Sequence, residues 1–504
     1  MIWLVSACTG PEPVVAPAPH PVAEAWAEYG PEAPEVVLVD VAVPRELRGL
    51  WVATVSNLDF PSRTGLSPSA MKRELDALVE ETAALGMNAL VFQVRPEGDA
   101  LYRSKLEPWS RFLSGKQGRD PGLDPLEYLI EKAHDRSIEV HAWFNPYRAS
   151  SSRGVPTAPN HVSKWASKSV RPWGNVLWLD PGVPEVQDHA VAVIDDVVAR
   201  YDIDGVHLDD YFYPYPDGRL VFQDDSTYQT YRKSGGKLAK PEWRASNVNR
   251  LVERLATGVQ TRRPEVRFGI SPFGIYRPGK PAGIRGLDQV AMLHADPLKW
   301  FAEGWVDYLA PQLYWPTTAK AQAYDRLLEW WNDQVDAARP LVVGLDLTKV
   351  GRDPKWPLAE LRKQVELSRA QDHTSGQIWF RATPVLKNQA GVGDLLDELY
   401  AHPALPPALA RVTDPFDPPR VSVQGRELSW SHPEAGGDRS ALRAFVLYEH
   451  TSAGWEVRQI LGRDSHTLGL GPGTWAVSAV SRTGAESKGV EVHVEDGADG
   501  VAEP

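Results

Sequence analysis

The stretch Gly205–Pro216, GVHLDDYFYPYP, decides how the rest of the chain is interpreted. It begins like a buried β-strand, in which Val206 and Leu208 share one face because side chains alternate along a strand. Two adjacent acids, Asp209 and Asp210, stand at its end, and a run of aromatic residues and prolines follows. Carboxylates at the end of a buried strand, surrounded by rings, indicate a site at the edge of a sheet.

Strand-like and helix-like segments alternate on both sides of this stretch. One helical segment, MKRELDALVEETAALG at 71–86, has its apolar residues at helical spacing. Eight strands that alternate with helices predict an α/β fold of the (β/α)8 TIM-barrel type, which we place at residues 41–403. The predicted strands are 47–54, 89–95, 139–145, 205–210, 266–273, 306–315, 340–347 and 376–383.

Polar residues share one face of most of these strands. The outer face of a barrel packs on helices and is apolar, so the polar face is predicted to point inward and to gather at the C-terminal mouth. The residues assigned to the inner face are Gln93, Arg95, His141, Trp143, Asn145, His207, Asp209, Gln312, Tyr314, Asp346, Gln377, Trp379 and Arg381.

The remaining segments predict a tether, a linker and a small β domain. Residues 9–40 are rich in Pro and Ala and predict an extended tether, and the proline-rich residues 404–417 predict a linker. Short alternating strands separated by turn residues predict a small all-β sandwich at 418–496. Trp430 and the run TWAVSAVSRTGAES at 474–487 resemble a fibronectin type III domain.

The single cysteine, Cys8, excludes an intramolecular disulfide and ends the segment MIWLVSAC. Leu4–Cys8 resembles a lipobox, where a bacterial signal peptidase cuts and the cysteine is lipidated. The residues before it are too few for a full signal peptide, so we interpret residues 1–8 as a truncated lipoprotein signal and expect the true start codon upstream. The alternative is a chance cysteine in a disordered tail. The lipobox predicts a lipid anchor as the membrane attachment, on the periplasmic face of the outer membrane of a Gram-negative bacterium.

Composition narrows the class of partner. The 504-residue chain has a formal net charge of -12, which argues against a nucleic-acid partner because such binding requires a basic surface. Tryptophan is abundant, at 19 residues, which fits either large cores or flat apolar platforms that stack on sugar rings.

The acids of the inner face are candidates for catalysis. Two carboxylates that flank a glycosidic bond are the usual equipment of glycosidases, one as acid and the other as base or nucleophile. We predict Asp209 as base or nucleophile, because it has inward parity, and Asp210 at the strand tip as acid or as the cap of a turn. Asp346 is a second candidate partner. The structural alternative for each is a salt bridge to Arg95 or Arg381.

A metal site is the competing interpretation of the inward histidines. His141, His207 and Asp209 together would form a two-histidine, one-carboxylate site. No HxH or HExxH spacing supports it, and inward histidines more often hydrogen-bond to substrate hydroxyls or to each other. We therefore predict no metal and no cofactor.

At these residues the chain resembles the glycosyl hydrolase-like 10 family. The resemblance implies a (β/α)8 barrel and glycosidase activity, and it extends to bacterial lipoproteins that cleave peptidoglycan glycan strands stripped of stem peptides. It places Asp209 and Asp210 in the most characteristic motif. The stretches that carry it are LRGLWVATVSNLDFPS (47–62), VFQVRPEGDALYRSKLEPWS (91–110), HAWFNPYRAS (141–150), DGVHLDDYFYPYP (204–216), FGISPFGIYR (268–277) and GWVDYLAPQLYW (304–315). The predicted substrate-binding residues are Arg95, Asp99, His141, Asn145, Arg148, His207, Tyr211, Gln312, Tyr314 and Trp315.

These observations predict a cell-envelope glycoside hydrolase that acts on peptide-free peptidoglycan glycan strands, with cell-division or envelope proteins as partners. Two alternatives stay open: a glycosidase for another polysaccharide, such as an exopolysaccharide, and a non-catalytic glycan-binding lipoprotein. Whether the anomeric centre is retained or inverted depends on the separation of the carboxylates, which the sequence does not contain.

Overall fold

Eight parallel strands close into a barrel in the computed structural model, which describes residues 36–218, 220–412, 415–435 and 439–495. Each strand pairs with the next along the chain, and the last pairs with the first. The predicted (β/α)8 barrel is confirmed. Its strands are β1 (Leu47–Val52), β2 (Ala89–Arg95), β3 (Glu139–Phe144), β4 (Gly205–Leu208), β5 (Arg267–Ile270), β6 (Tyr308–Leu309), β7 (Leu341–Asp346) and β8 (Thr374–Phe380).

Helices surround the strands, and the longer ones that pack on the barrel bury an apolar face. In the helix Pro68–Ala84, proline occupies the first turn and the Ser67 side chain accepts a hydrogen bond from the Ala70 N–H, so the start is capped. Its buried residues include Met71 and Leu75, at helical spacing. The helices are Pro68–Ala84, Arg111–Ser114, Pro125–His134, Val162–Trp165, Pro184–Arg200, Asp225–Lys233, Lys240–Arg262, Gln289–Met292, Pro297–Ala302, Tyr324–Asn332, Leu358–Arg369, Ala382–Leu386 and Val392–Leu399. None of these described helices is long and apolar enough to cross a membrane.

The inward face of β8 is the opposite of the sequence prediction. Ile378 belongs to the cluster inside the barrel, whereas Trp379 packs among the outer helices. The outward polar atoms find partners there: Trp379 Nε1 donates to Tyr400 Oη at 2.8 Å, and Gln377 Nε2 donates to Ser368 Oγ at 2.7 Å. The prediction was wrong because a helix-facing position tolerates a polar atom whose hydrogen bond is satisfied.

Two antiparallel sheets form the C-terminal region and enclose their own apolar core, as predicted for a small β domain. The strands are β9 (Arg420–Gln424), β10 (Glu427–Ser431), β11 (Leu442–Thr451), β12 (Gly454–Gly462), β13 (Thr467–Gly469), β14 (Gly473–Ser481) and β15 (Gly489–Val494). One sheet has the order β9-β10-β13, and the other has the order β15-β14-β11-β12. The assignment to the fibronectin type III family stays a prediction.

The predicted tether and linker both take part in packing within the described residues. The strand Leu38–Val39 pairs with β15 and extends that sheet, so the end of the proposed tether is not free. In the proposed linker, Leu405 and Leu409 are buried. Their backbone N–H groups donate to the carbonyl groups of Pro44 and Thr483. These contacts fix the described ends of the two segments, around Leu38–Val39 and Leu405–Leu409, against the folded parts of the chain.

The sandwich docks on the end of the barrel at which the strands begin. Arg482 pairs with Asp202 and Asp204, which directly precede β4. Arg443 on β11 pairs with Glu139, the first residue of β3. Because strands begin at one end of the barrel and end at the other, the sandwich lies opposite the mouth.

Candidate active site

A cavity of about 230 Å³ opens at the end of the barrel where the strands finish. Most of its lining comes from strand ends and from the residues that follow them, as in other barrels of this type. A larger cleft of about 430 Å³ lies between the helices and the sandwich and contains neither Asp209 nor Asp210. The residues that line the mouth cavity are Trp51, Ala53, Val55, Leu58, Gln93, Trp143, Arg148, Asp209, Tyr211, Ser271, Gln312, Tyr314 and Phe380.

Asp209 faces this cavity and is held as a hydrogen-bond acceptor. Trp143 Nε1 donates to its Oδ2 at 3.0 Å, and Asn145 Nδ2 lies 3.3 Å from both carboxylate oxygens. The Tyr211 N–H donates to Oδ1 at 3.3 Å. Burial raises the pKa of Asp209 above its ordinary value, while the Arg148 cation and these donors act in the opposite direction. The cation and the donors therefore offset part of the cost of burying the ionised carboxylate.

Asp210 lies behind the cavity wall and has a different environment. Its side chain is 1 % exposed, and its Oδ2 accepts a hydrogen bond from the Tyr215 hydroxyl. Burial is the largest cause that raises the pKa of Asp210 to about 7, and the neighbouring charge of Asp209 adds to it, although the Tyr215 hydroxyl lowers it. Below about pH 7 this carboxyl group is therefore mostly protonated.

The surroundings of the two acids favour different protonation states. Asp210 is protonated up to about pH 7, and Asp209 has the partners that stabilise an anion. Carboxyl groups whose environments separate their roles are the mark of acid–base catalysis. The arrangement suits hydrolysis, in which one group protonates a leaving oxygen and the other attacks or activates water.

Aromatic rings form much of the cavity wall. Phe380 stacks on Tyr314 with ring centroids 6.0 Å apart and meets Trp51 edge-on at 6.3 Å. The guanidinium of Arg148 lies 4.7 Å from the centroid of the Tyr211 ring. Flat apolar walls with a few polar groups between them suit a sugar ring, which has apolar C–H faces and polar edges.

Several predicted residues come together at this cavity. Asp209, Arg148, Tyr211, Gln312 and Tyr314 all line it. Two more stand directly behind the wall. Asn145 holds Asp209, and His207 Nε2 contacts the lining residues Ser271 and Trp51 at 3.1 and 3.3 Å.

Other predicted residues lie away from the lining of the described cavity. Arg95 is buried in an ion pair with Glu107, its Nε donating at 2.9 Å. Asp99 accepts from Gln117 at 3.0 Å, and burial together with the charge of Glu97 raises its pKa to about 7. Within the described residues, Arg95 pairs with Glu107 and Arg381 with Asp59, so neither arginine forms the predicted alternative salt bridge to Asp209, Asp210 or Asp346.

The remaining candidates have partners within the protein. His141 bonds to Glu139 near the base of the barrel. Asp346 accepts from the Thr348 N–H at 2.8 Å and lies 3.3 Å from Lys349 Nζ. Trp315 packs edge-on against Phe273 at 5.6 Å, and Arg381 donates to Asp59 at 2.7 Å. Cys8 lies outside the described residues.

The two inward histidines are joined by a tyrosine. His141 Nδ1 and His207 Nδ1 each lie 2.9 Å from the Tyr308 hydroxyl. Asp209 is bound instead by Trp143 and Asn145. Among the described residues no group of three or more His, Cys, Asp or Glu side chains is arranged to hold a metal ion.

Sequence reasoning missed part of the cavity wall. Trp51 and Phe380 were not among the predicted site residues, and Tyr215, the partner of Asp210, was not either. Trp51 stands in the stretch LRGLWVATVSNLDFPS, which already carried the family resemblance. Tyr215 belongs to the aromatic run after the acids, so both signals were present in the sequence. Phe380 was missed because β8 was assigned the wrong face.

Comparison with known proteins agrees with this geometry. The model of the family described as glycosyl hydrolase-like 10 matches residues 46–357, more than half of the chain. This chain belongs to the glycosyl hydrolase-like 10 family. It is 40 % identical over 381 residues to glycosyl hydrolase YngK of Bacillus subtilis, covering 72 % of this chain and 74 % of that protein. It is 39 % identical over 378 residues to glycosyl hydrolase DigH of Escherichia coli K12, covering 68 % of this chain and 84 % of that protein.

Several solved structures align with this chain, among them the glycoside hydrolase domain of PgaB (BpsB) from Bordetella bronchiseptica. It aligns with a TM-score of 0.47 at 14 % identity, over 71 % of this chain and 99 % of that one. Membership of the glycosyl hydrolase-like 10 family and the acid pair at the barrel mouth agree on the class of enzyme. The protein is a glycoside hydrolase.

Proposed function

We propose that the protein hydrolyses glycosidic bonds in peptidoglycan glycan strands from which the stem peptides have been removed. Asp210 acts as general acid, and Asp209 acts as base or nucleophile. The observation that carries this assignment is the contrast between the two neighbours. Asp210 keeps its proton to about pH 7, whereas Asp209 faces the cavity and accepts hydrogen bonds from Trp143 and Asn145.

The lining of the cavity supports a glycan that carries a carboxylate. Arg148 lines the cavity and is only partly buried, so its guanidinium is available to an anionic group. Removal of the stem peptide from a muramic acid residue leaves a free lactyl carboxylate, where a peptide-bearing residue has a neutral amide. A cavity of about 230 Å³ also holds a sugar ring more readily than a ring with a peptide attached.

The lipobox supports a location in the cell envelope, where this substrate occurs. Lipidation of Cys8 would hold the enzyme on the periplasmic face of the outer membrane, and the Pro/Ala-rich residues that follow would let it reach the wall. Replacement of Cys8 by alanine in the protein expressed in a bacterial host from its native gene is expected to abolish fatty-acid labelling. Retained labelling would exclude this anchor.

A digestion experiment tests the activity. The soluble region from Ala23 onward is incubated with peptide-free glycan strands and with intact sacculi, and the products are identified by mass spectrometry. Asp209→Asn is expected to lower turnover about a thousandfold, the scale of an acid–base group. The matched control is Asp217→Asn, which changes an exposed acid a few residues further along and is expected to keep full turnover.

The outcomes separate the alternatives. Peptide-free oligosaccharides from the wild type and the control, with none from Asp209→Asn, support the proposal. Strands that stay intact but sediment with the protein indicate a glycan-binding lipoprotein. If the strands are neither cut nor bound, the peptidoglycan substrate is excluded, and other acidic polysaccharides are tested next.

A further inference from the structure

A line of buried polar side chains follows the barrel axis from the cavity to the opposite end. Trp51 Nε1 lies 3.3 Å from His207 Nε2, and His207 Nδ1 lies 2.9 Å from the Tyr308 hydroxyl. That hydroxyl lies 2.9 Å from His141 Nδ1, and His141 Nε2 lies 2.8 Å from Glu139 Oε2. None of these five residues is more than 3 % exposed. We call them the axial relay.

The chemistry of the groups sets the direction of every bond in the axial relay. An indole N–H only donates, so Nε2 of His207 must accept and its proton must be on Nδ1. That proton is donated to the Tyr308 oxygen, and the Tyr308 hydroxyl donates to Nδ1 of His141. The proton of His141 is then on Nε2 and is donated to the carboxylate of Glu139. One ordered set of tautomers satisfies the whole line.

The cavity end of the axial relay forms part of the proposed glycan site. Trp51 lines the cavity, and so does Ser271, whose Oγ lies 3.1 Å from His207 Nε2. The lone pair of His207 Nε2 therefore receives two donors from the wall. Burial lowers the pKa of His207 well below its ordinary value, so its ring stays neutral and Nε2 keeps its lone pair.

The opposite end of the axial relay is held by the sandwich. Arg443 on β11 places Nη1 2.9 Å from Glu139 Oε1, and Arg267 places Nε 3.4 Å from Oε2. Burial alone would raise the pKa of Glu139, but these two cations outweigh it and lower the pKa to about 2. Glu139 is therefore an anion, which is what the N–H of His141 requires as an acceptor.

We propose that Arg443 is a positioning residue for the active site of the barrel, acting from the sandwich through the axial relay. Its cation keeps Glu139 an acceptor, which orders the tautomers of His141 and His207 and so fixes the orientation of Trp51 and Ser271 in the cavity wall. The sandwich is thus a part of the catalytic unit. This inference rests on the proposed function for its kinetic test only, because the order of tautomers is measured without a substrate.

The test compares two arginines of the same interface. Arg443→Met removes the ion pair with Glu139 and a 3.5 Å contact to Asp204. Arg482→Met removes ion pairs with Asp202 and Asp204 and leaves the pair between Arg443 and Glu139 in place, so the two variants differ in the loss of the Glu139 pair. Arg443→Met is expected to lower kcat about tenfold, the scale of changes along a packed network, with a smaller change in KM. Arg482→Met is expected to leave kcat within about twofold of the wild type.

Two further measurements distinguish positioning from loss of structure. Long-range ¹H–¹⁵N spectra of histidine-labelled protein are expected to show single tautomers of His141 and His207 in the wild type and in Arg482→Met, and mixed tautomers in Arg443→Met. Glu139→Gln interrupts the relay from within the barrel, and its combination with Arg443→Met is expected to add no further loss. Arg443→Lys keeps a cation and is expected to restore part of the lost turnover.

Three results would each overturn the proposal. These are unchanged histidine spectra in Arg443→Met, an equal loss of turnover in Arg482→Met, and additive losses in the double variant. If the wild type lacks activity on peptide-free strands but the histidine spectra behave as expected, the substrate is wrong and the axial relay stands.

Discussion

The carboxyl groups of Asp209 and Asp210 are adjacent in the chain and meet opposite surroundings. Asp209 faces the mouth cavity and accepts from Trp143 and Asn145. Asp210 is shielded beside it and accepts from the hydroxyl of Tyr215. Adjacent residues on a strand point to opposite sides. Because β4 ends at Leu208, the two acids that follow it both lie at the mouth of the barrel, but in different environments.

Removal of the Tyr215 hydroxyl is expected to shift the alkaline limb of the activity profile to higher pH. That hydroxyl stabilises ionised Asp210 and so lowers its pKa, which lies at about 7. In Tyr215→Phe the acid keeps its proton to a higher pH, by about one unit. The measurement is kcat/KM against pH, which reports the free enzyme. If the alkaline limb of kcat/KM lies at the same pH in Tyr215→Phe as in the wild type, the general acid is a group other than Asp210.

Asp210→Asn is expected to stabilise the fold at alkaline pH although it removes activity. The carboxyl has a pKa of about 7 in the folded state and about 3.8 in the unfolded chain. Between these values the folded state binds more protons, so the stability of the wild type falls as pH rises through this window.

This difference between the folded and unfolded pKa values lowers the free energy of unfolding of the wild type by about 4 kcal/mol above pH 7, relative to acidic pH. Denaturant unfolding of the wild type and of Asp210→Asn at pH 4 and pH 8 measures it. The free energy of unfolding of Asp210→Asn, relative to that of the wild type, is expected to be higher at pH 8 than at pH 4. A difference between the two proteins that does not change with pH would contradict the raised pKa.

Arg148→Gln is expected to change two features of catalysis. Loss of the cation raises the pKa of Asp209, so the acid limb of the profile moves to higher pH. KM for peptide-free strands is expected to rise about tenfold, because a charge-assisted contact to the lactyl carboxylate is lost. Arg153→Gln, which changes an exposed arginine shortly after the strand Arg148–Ser150, is the control. An unchanged KM for Arg148→Gln would show that Arg148 does not bind the lactyl carboxylate of the substrate.

Gly269→Ala and Gly258→Ala are expected to act in opposite directions. A Cβ on Gly269 would overlap the ring of Tyr308, whereas a Cβ on Gly258 meets nothing within 4 Å. The first change overpacks the barrel and is expected to cost about 1–3 kcal/mol of unfolding free energy. The second lies in the helix Lys240–Arg262 and is expected to add about 0.5–1 kcal/mol. Urea unfolding of both variants measures these effects. If Gly269→Ala is as stable as the wild type, the ring of Tyr308 can move to accommodate the added methyl group.

Much of the fold followed from local patterns. The alternation of strands and helices predicted the barrel, and inward parity correctly brought Asp209, Gln312 and Tyr314 to the mouth. The same parity argument failed for β8, because Trp379 and Gln377 satisfy their polar atoms among the outer helices. Polarity is a reliable guide to the inner face only where the outer neighbours offer no hydrogen-bond partner.

The candidate site was predicted less completely. Trp51 and Phe380 contribute rings to the cavity from β1 and β8, which are adjacent only because the barrel closes. Arg95 and Asp99 stand in a motif stretch, yet their side chains bond to Glu107 and Gln117. A motif gives the position of a residue along the chain, and the partners of its side chain depend on segments elsewhere.

The sequence by itself determined the order of strands and helices, the acid pair at the end of β4 and the aromatic run that follows it. These are properties of neighbouring residues, and the periods of strands and helices express them directly. Only the tertiary structure decided that Asp209 faces the cavity while Asp210 is shielded, and that Arg443 of the sandwich lies against Glu139 at the base of the barrel. Such contacts join residues far apart in the chain, and they exist only once the barrel has closed and the two parts have packed together.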